Sequence, residues 1–239
     1  MCATGARETP LLLLETPLST PQVFDVCATG ARNVLDAFLP VCAPGARAVV
    51  VSTGLSPLMC GYARADRRRA LTAATVTWRE IEGMMRECLR VPGGGGEGGV
   101  RRQARALREL GFPGGPFEEA APDFHVYGLA KLFADAHMLS LARRGGGGAG
   151  LLPPGVMLNA CDPGLVYTGL ITRMPRYVGK TREETGAQTA EEGVEAAMRL
   201  LFGGAAEGVV EGESGRFYAM SRKQPGVLLN HKGIDRQPE

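Results

Sequence analysis

Tyr127 and Lys131 stand four residues apart in the run Tyr127-Gly128-Leu129-Ala130-Lys131. On a helix that spacing brings both side chains to one face. A phenol ordinarily ionises near pH ~10, too high for ready acid–base work at neutral pH. A neighbouring ammonium favours the phenolate and lowers that value. The pair therefore predicts a tyrosine that can hand a proton to a carbonyl oxygen as a hydride reaches the carbon. The same spacing occurs on many surface helices with no such role, so the flanking elements have to decide.

Those elements alternate between strand and helix. Val23 to Leu39 reads as a helix, with Val23, Val26, Ala31, Val34, Leu35 and Phe38 near helical spacing. Pro40 and Pro44-Gly45 end it. Ala48-Val49-Val50-Val51 is a short apolar run without alternation, as expected of a parallel strand buried on both faces. It closes on Ser52-Thr53-Gly54. Tyr127 to Arg143 is predicted helical, with Leu132, Phe133, Ala136, Leu139 and Leu141 as its apolar side. Val156 to Cys161 is the next predicted strand, stopped by Asp162-Pro163-Gly164. Thr189-Ala190-Glu191-Glu192 is a capping box that opens a helix through Leu201, and Phe217 to Met220 is a last short strand. Strands alternating with helices imply a parallel sheet in an α/β fold. Residues 61–124 interrupt the rhythm as a helical insert. A second capping box, Thr77-Trp78-Arg79-Glu80, precedes a face of Ile81, Met84, Met85 and Cys88, and a more polar helix is predicted from Arg101 to Leu110.

The order of strand, Ser52-Thr53, helix with Tyr127-x-x-x-Lys131, strand, and Pro163-Gly164-x-Val166-x-Thr168 resembles the short-chain dehydrogenase/reductase family. The wording is most similar to the monomeric carbonyl reductases. They carry a similar Leu-Asn-Ala-Cys-x-Pro-Gly stretch, a long helical insert between serine and tyrosine, and a late Glu-Glu-Gly followed by Gly-x-Phe. Here the last two are Glu191-Glu192-Gly193 and Gly215-Arg216-Phe217. The likeness runs from about Thr16 to about Lys223. It implies one Rossmann-like domain over residues 1–239, a doubly wound parallel sheet that lacks its first strands and contains the insert. It also implies a monomer that reduces an aldehyde or ketone with NADP in preference to NAD. Tyr127 would be the proton donor. Lys131 would hold the nicotinamide ribose and lower the tyrosine's pKa. Pro163, Gly164, Val166 and Thr168 would form the loop over the nicotinamide, with backbone groups and the Thr168 hydroxyl on the carboxamide. Thr53 falls where the family has its substrate-orienting serine, and Ser52 is the first of that pair.

Three departures accompany the resemblance. Threonine at 53 keeps a hydroxyl and adds a methyl. The family's Asn-x-x-Gly reads Cys27-Ala28-Thr29-Gly30, and a thiol cannot reproduce an amide's hydrogen bonds. The Thr-Gly-x-x-x-Gly-x-Gly turn that seats a pyrophosphate on a helix N-terminus has only Thr4-Gly5 as an echo, with Thr9 where the next glycine would stand. The alternative expectation is therefore a truncated, inactive relative that serves as a binding or structural protein, or a gene-model fragment.

Composition narrows the remaining classes. With 239 residues, 44% of them hydrophobic, the chain can bury one sizeable core. Its 27 basic and 25 acidic side chains leave +2, so nothing pulls it toward nucleic acid or an acidic membrane. Arg67-Arg68-Arg69 and Arg101-Arg102 read as a solvated face of the insert. Leu11–Leu14 is too short for a secretory signal, and no run is long enough to span a bilayer. Cys2, Cys27, Cys42, Cys60, Cys88 and Cys161 lack zinc or redox spacing and read as reduced thiols of a cytoplasmic protein. The scattered His125, His137 and His231 give no metal site. Gly93, Gly95 and Gly98 satisfy G-x-G-x-x-G only because a glycine run must, so a flexible loop is expected there. Cys-Ala-Thr-Gly-Ala-Arg occurs at residues 2–7 and again at 27–32, too short to be a structural repeat.

Overall fold

The computed structural model describes residues 19–91, 96–115, 118, 122–145, 152–173, 177–204, 212–220 and 228–230. Thr4-Gly5, Thr9, Leu11–Leu14, the first copy of the six-residue repeat, Gly93, Gly95 and His231 lie outside them.

The first helix starts where Gln22 accepts from the Ser19 N–H at 2.9 Å. It runs as α1 (Thr20–Phe24), a π-helical segment (Asp25–Thr29) and α2 (Gly30–Phe38), then tightens into a 3-10 turn (Leu39–Val41). Strand β1 (Arg47–Val51) follows. Helix α3 (Leu55–Tyr62) comes next, and the stretch read as an insert, residues 61–124, holds α4 (Ala65–Thr72), α5 (Trp78–Leu89) and α6 (Gly96–Glu109). The long α7 (Pro122–Gly145) carries Tyr127 and Lys131. Strand β2 (Met157–Asp162), the short α8 (Arg182–Thr185), α9 (Ala190–Phe202), β3 (Phe217–Met220) and β4 (Leu228–Asn230) complete the described chain.

The sheet has the order β1-β2-β3-β4. The first three strands are parallel, with Val51 beside Cys161 and Cys161 beside Tyr218. The antiparallel β4, which pairs Ala219 with Leu229, had no sequence signal. Side chains alternate across a strand, and the two hydrophobic clusters follow that alternation. Ala48, Val50, Leu158, Ala160 and Phe217 pack with α7 on one face. Val49, Cys161 and Tyr218 pack with Ala196 and Leu200 of α9 on the other. This is a helix–sheet–helix layering, as expected of a Rossmann-like fold.

Both capping boxes form as the sequence requires: Glu80 accepts from the Thr77 N–H at 2.7 Å, and Glu192 from the Thr189 N–H at 2.7 Å. Ile81, Met84, Met85 and Cys88 are buried, as are Leu132, Phe133, Ala136, Leu139 and Leu141. Phe24, Phe133 and Phe112 stack edge-to-face in sequence, each pair 5.7 Å apart, and so join α1, α7 and the turn after α6. Such contacts add roughly 0.5–1.5 kcal/mol each beyond burial.

Several expectations are corrected. The helix at Gly96 takes in Gly98, within the run expected to be loop. The first helix buries Phe24, Ala28, Leu35 and Leu39, while Val26, Val34 and Phe38 of the expected face are exposed. Strand β1 is expected to be buried on both faces, yet its residues are only half-buried and Val51 is 52% exposed; it has no neighbour on its outer side among the described residues. Arg67 is not a solvated charge: it donates to the Leu110 carbonyl, pairs with Glu87 and lies over the Phe112 ring. Arg69, Arg101 and Arg102 are exposed. No helix among the described residues is long and apolar enough to cross a membrane.

Candidate active site

The site gathers at the carboxyl ends of β1 and β2, where open parallel sheets characteristically bind ligands. Strand β1 delivers Ser52 and Thr53, β2 delivers Asp162 and the Pro163–Thr168 loop, and α7 brings Tyr127 and Lys131. Gly128 allows the approach. A Cβ there would stand 3.0 Å from Leu55 Cβ and 3.1 Å from Met59 Cγ, so α3, and Thr53 just before it, can close on α7.

Lys131 Nζ lies 5.9 Å from the centre of the Tyr127 ring, so the pair shares a face as the spacing predicts. The ammonium is turned to the backbone, donating to the Val51 carbonyl at 3.0 Å. The expected lowering of the tyrosine's pKa does not occur. Burial pushes the Tyr127 phenol up to about 12, with Cys27, Asp162 and Asp135 pushing the same way. A poorly solvated site disfavours the phenolate most, Cys27, Asp162 and Asp135 add to it, and the lysine is engaged with the backbone. Tyr127 is therefore a neutral phenol at neutral pH, able to donate a proton but not held as a phenolate.

Thr53 is half-buried, and its hydroxyl accepts only a long contact of 3.4 Å from the Leu55 N–H. Ser52 is buried, and its hydroxyl donates to Asp135 Oδ2 at 2.6 Å. Of the two hydroxyls, Thr53 is the one left to face a substrate, and Ser52 is committed to the protein. Cys27, on the π-helical segment, lies close enough to bear on both Lys131 and Tyr127. Burial raises its thiol pKa, with Lys131 opposing. Helical segments of this kind recur at functional sites.

The loop after β2 is built on glycine. Gly164 has a left-handed backbone (φ +75°), which a side chain would strain, and its N–H donates to Asp162 Oδ1 at 2.9 Å. Val166 bridges to Gln188, with Tyr167 N–H donating to the Gln188 carbonyl at 2.8 Å and Gln188 N–H to the Leu165 carbonyl at 2.7 Å. A Cβ on Gly193 would come within 2.4 Å of Val166 Cγ2, so α9 seats the loop through a glycine. Pro163 is half-buried, and Thr168 is exposed. Asp162 and Asp135 were not foreseen. Asp162 Oδ2 would stand 2.7 Å from a Cβ on Gly54, so its carboxylate covers the turn after β1. Asp135 lies one turn beyond Lys131 on the same face, and extending the four-residue spacing by one step would have found it.

The residues present fit the nicotinamide end of a dinucleotide: a lysine and a glycine-based loop beside a phenol. They do not provide the rest, since no glycine-rich turn at a helix N-terminus stands among the described residues. No group of three or more His, Cys, Asp or Glu able to hold a metal occurs among them either. Cys161 is buried and its thiol is pushed up to about 12 by burial, as a structural thiol would be.

No family model and no curated protein matches the sequence. Among solved structures, the chain is similar to salutaridine reductase from Papaver somniferum, a short-chain dehydrogenase/reductase, with a TM-score of 0.54 and 18% identity. The match covers 83% of this chain and 55% of that one, so the chain spans little more than half its length. At that identity the likeness speaks to architecture alone, and the chain has a Rossmann-like α/β fold.

Proposed function

We propose that this chain is the catalytic portion of a carbonyl-reductase-like oxidoreductase, acting on a small aldehyde or ketone with NADPH, or secondarily NADH. The observation that carries the reading is the convergence of Tyr127, Lys131 and Thr53 at the carboxyl ends of two parallel strands, beside the Gly164 loop. A reduced nicotinamide, when bound, supplies the hydride. The chain's own residues do the rest. Tyr127 gives its phenolic proton to the carbonyl oxygen, Thr53 donates a hydrogen bond that orients that oxygen, and Lys131 and the Pro163–Thr168 loop hold the nicotinamide ribose and carboxamide.

The reading is tested in a fusion that supplies a glycine-turn dinucleotide half ahead of Ser19. There Tyr127→Phe removes the general acid and lowers turnover on the order of 10²–10⁴-fold. Turnover within a few-fold of the parent rules out Tyr127 as the donor. The second reading is a binding or structural protein that keeps the fold without the activity. It is supported by the high pKa of Tyr127 and by the bare outer edge of β1. Titration of the 239-residue chain with NADPH and NADH tests whether the chain seats the cofactor without such a fusion. Pyrophosphate binding relies on backbone N–H groups that the described residues do not offer, and remote binding also positions the reacting end. Binding weaker than micromolar and no carbonyl-dependent oxidation are expected. Micromolar binding, with turnover that vanishes in Lys131→Ala, shows that another segment cradles the phosphates.

A further inference from the structure

Asp135 is wholly enclosed, and nothing in the proposed reaction uses it. One carboxylate oxygen, Oδ2, accepts from the Ser52 hydroxyl at 2.6 Å. The other, Oδ1, is buried without a hydrogen-bond partner. Ser56 of α3, also fully buried, brings its hydroxyl to bear on the same carboxyl without meeting hydrogen-bond geometry. A buried carboxyl is costly, so it is retained where it ties something down or titrates. Here it links two segments that must stay in register: the turn after β1, which carries Thr53, and the face of α7, where Tyr127, Lys131 and Asp135 recur every fourth residue.

We infer that Asp135 is a positioning residue of the candidate active site: by holding the Ser52 hydroxyl it fixes the Ser52-Thr53-Gly54 turn against the face of α7 that carries Tyr127 and Lys131. Its place in catalysis rests on the function proposed above; its hold on the turn does not. The groups facing it are the Ser52 and Ser56 hydroxyls, Lys131 and Tyr127 on its own helix, and Cys161 and Asp162 at the end of β2. Cys27 on the π-helical segment bears on the same lysine and tyrosine. Burial raises the Asp135 carboxyl to about 6, against which the two serines and Lys131 pull it down. The unpartnered Oδ1 is the oxygen placed to take the proton, leaving Oδ2 as acceptor for Ser52 in both states. The carboxyl thus holds the turn across the titration, while its charge, present only above about pH 6, opposes ionisation of Tyr127.

The test begins with the full 239-residue chain and needs no activity. Backbone amide resonances of Thr53 and Gly54 are followed from pH 5 to 8 together with the Asp135 side-chain carbonyl carbon. In the parent, all three move with one midpoint near pH 6. In Asp135→Asn, which keeps an acceptor oxygen for Ser52, the amides stay near their low-pH positions and no longer titrate. In Asp135→Leu and Ser52→Ala the turn loses its tie, and both amides shift away from those positions at every pH. Thr53 and Gly54 amides that are unmoved in Ser52→Ala overturn the inference; this arm survives if Asp135→Leu fails to fold. In the fusion enzyme, Asp135→Asn loses the parent's step near pH 6, and Ser52→Ala loses turnover about tenfold or more. A fusion that is inactive even as parent counts against the oxidoreductase reading and leaves the amide result standing.

Discussion

Asp135 also leaves a thermodynamic mark on the chain. An aspartate in the unfolded chain ionises near 3.8, and this one near 6 in the fold. Between those values the unfolded state has lost the proton while the folded state keeps it. Stability therefore falls as pH rises through about 4 to 6, and is constant above. The full drop is about 3 kcal/mol as an order of magnitude. His125 and His137 act in the other direction, since burial lowers their pKa and their protonation at acid pH favours unfolding. The difference between the parent and Asp135→Asn isolates the carboxyl. Urea unfolding at pH 4 and pH 7 should show the variant gaining on the parent by a few kcal/mol at the higher pH; equal gaps at both would refute the assignment. At this scale the sequence was legible for types and spacing, as Tyr127, Lys131 and Cys27 show. It was not legible for charge balance. Whether a lysine lowers a tyrosine's pKa depends on burial and on acids brought in from β2 and α7, and those are facts of packing.

Helix starts were the most legible elements, because capping chemistry is local. The boxes at Thr77 and Thr189 set α5 and α9 to the residue. Replacing Thr189 by Ala should cost about 1 kcal/mol of stability, read as a lower denaturation midpoint with an unchanged slope. The buried face of the first helix was not legible. Phe24, Ala28, Leu35 and Leu39 form one stripe at helical spacing, and Val26, Val34 and Phe38 form another. Periodicity finds both, and only the position of α7 selects the first. Close approaches are similarly hidden in lone glycines. Gly128→Val adds branches where even a Cβ would meet Leu55 and Met59. It should cost about 1–3 kcal/mol by overpacking. If Thr53 depends on that contact, substrate affinity in the fusion enzyme should fall too. A variant as stable as the parent would show that α3 is free to move away.

Across the whole molecule, the insert and the sheet edge make opposite provisions for company. Helices α3, α4, α5 and α6 all pack on α7 and cover it. The edge of β1 is different. Its run of apolar residues is suited to the middle of a sheet, yet Val51 is exposed, and α9, which packs on β1, exposes Val194, Met198 and Phe202 at four-residue spacing. An apolar strand with no outer neighbour among the described residues invites further strands. Light scattering of the 239-residue chain should grow with concentration without a dimer plateau. Met198→Lys with Phe202→Lys should suppress that growth while leaving the far-ultraviolet circular dichroism unchanged. A closed, stable dimer would point instead to a defined interface.

The alternation within β1 also sets a pattern in time. The Ser52 N–H donates to the Cys161 carbonyl, and successive N–H groups of a strand point to opposite sides. Those of Ala48 and Val50 thus turn toward β2, and those of Arg47, Val49 and Val51 toward the open side. In deuterated solvent the first set should keep its protons through many openings of the sheet, and the second should surrender them almost at once. Neighbours along one strand would then differ by orders of magnitude in exchange rate. Anything that seats a strand on that side, whether a partner or another part of the chain, would make the contrast vanish. Amide exchange at Val49 and Val51 is therefore a direct reporter of whether this sheet stands alone in solution.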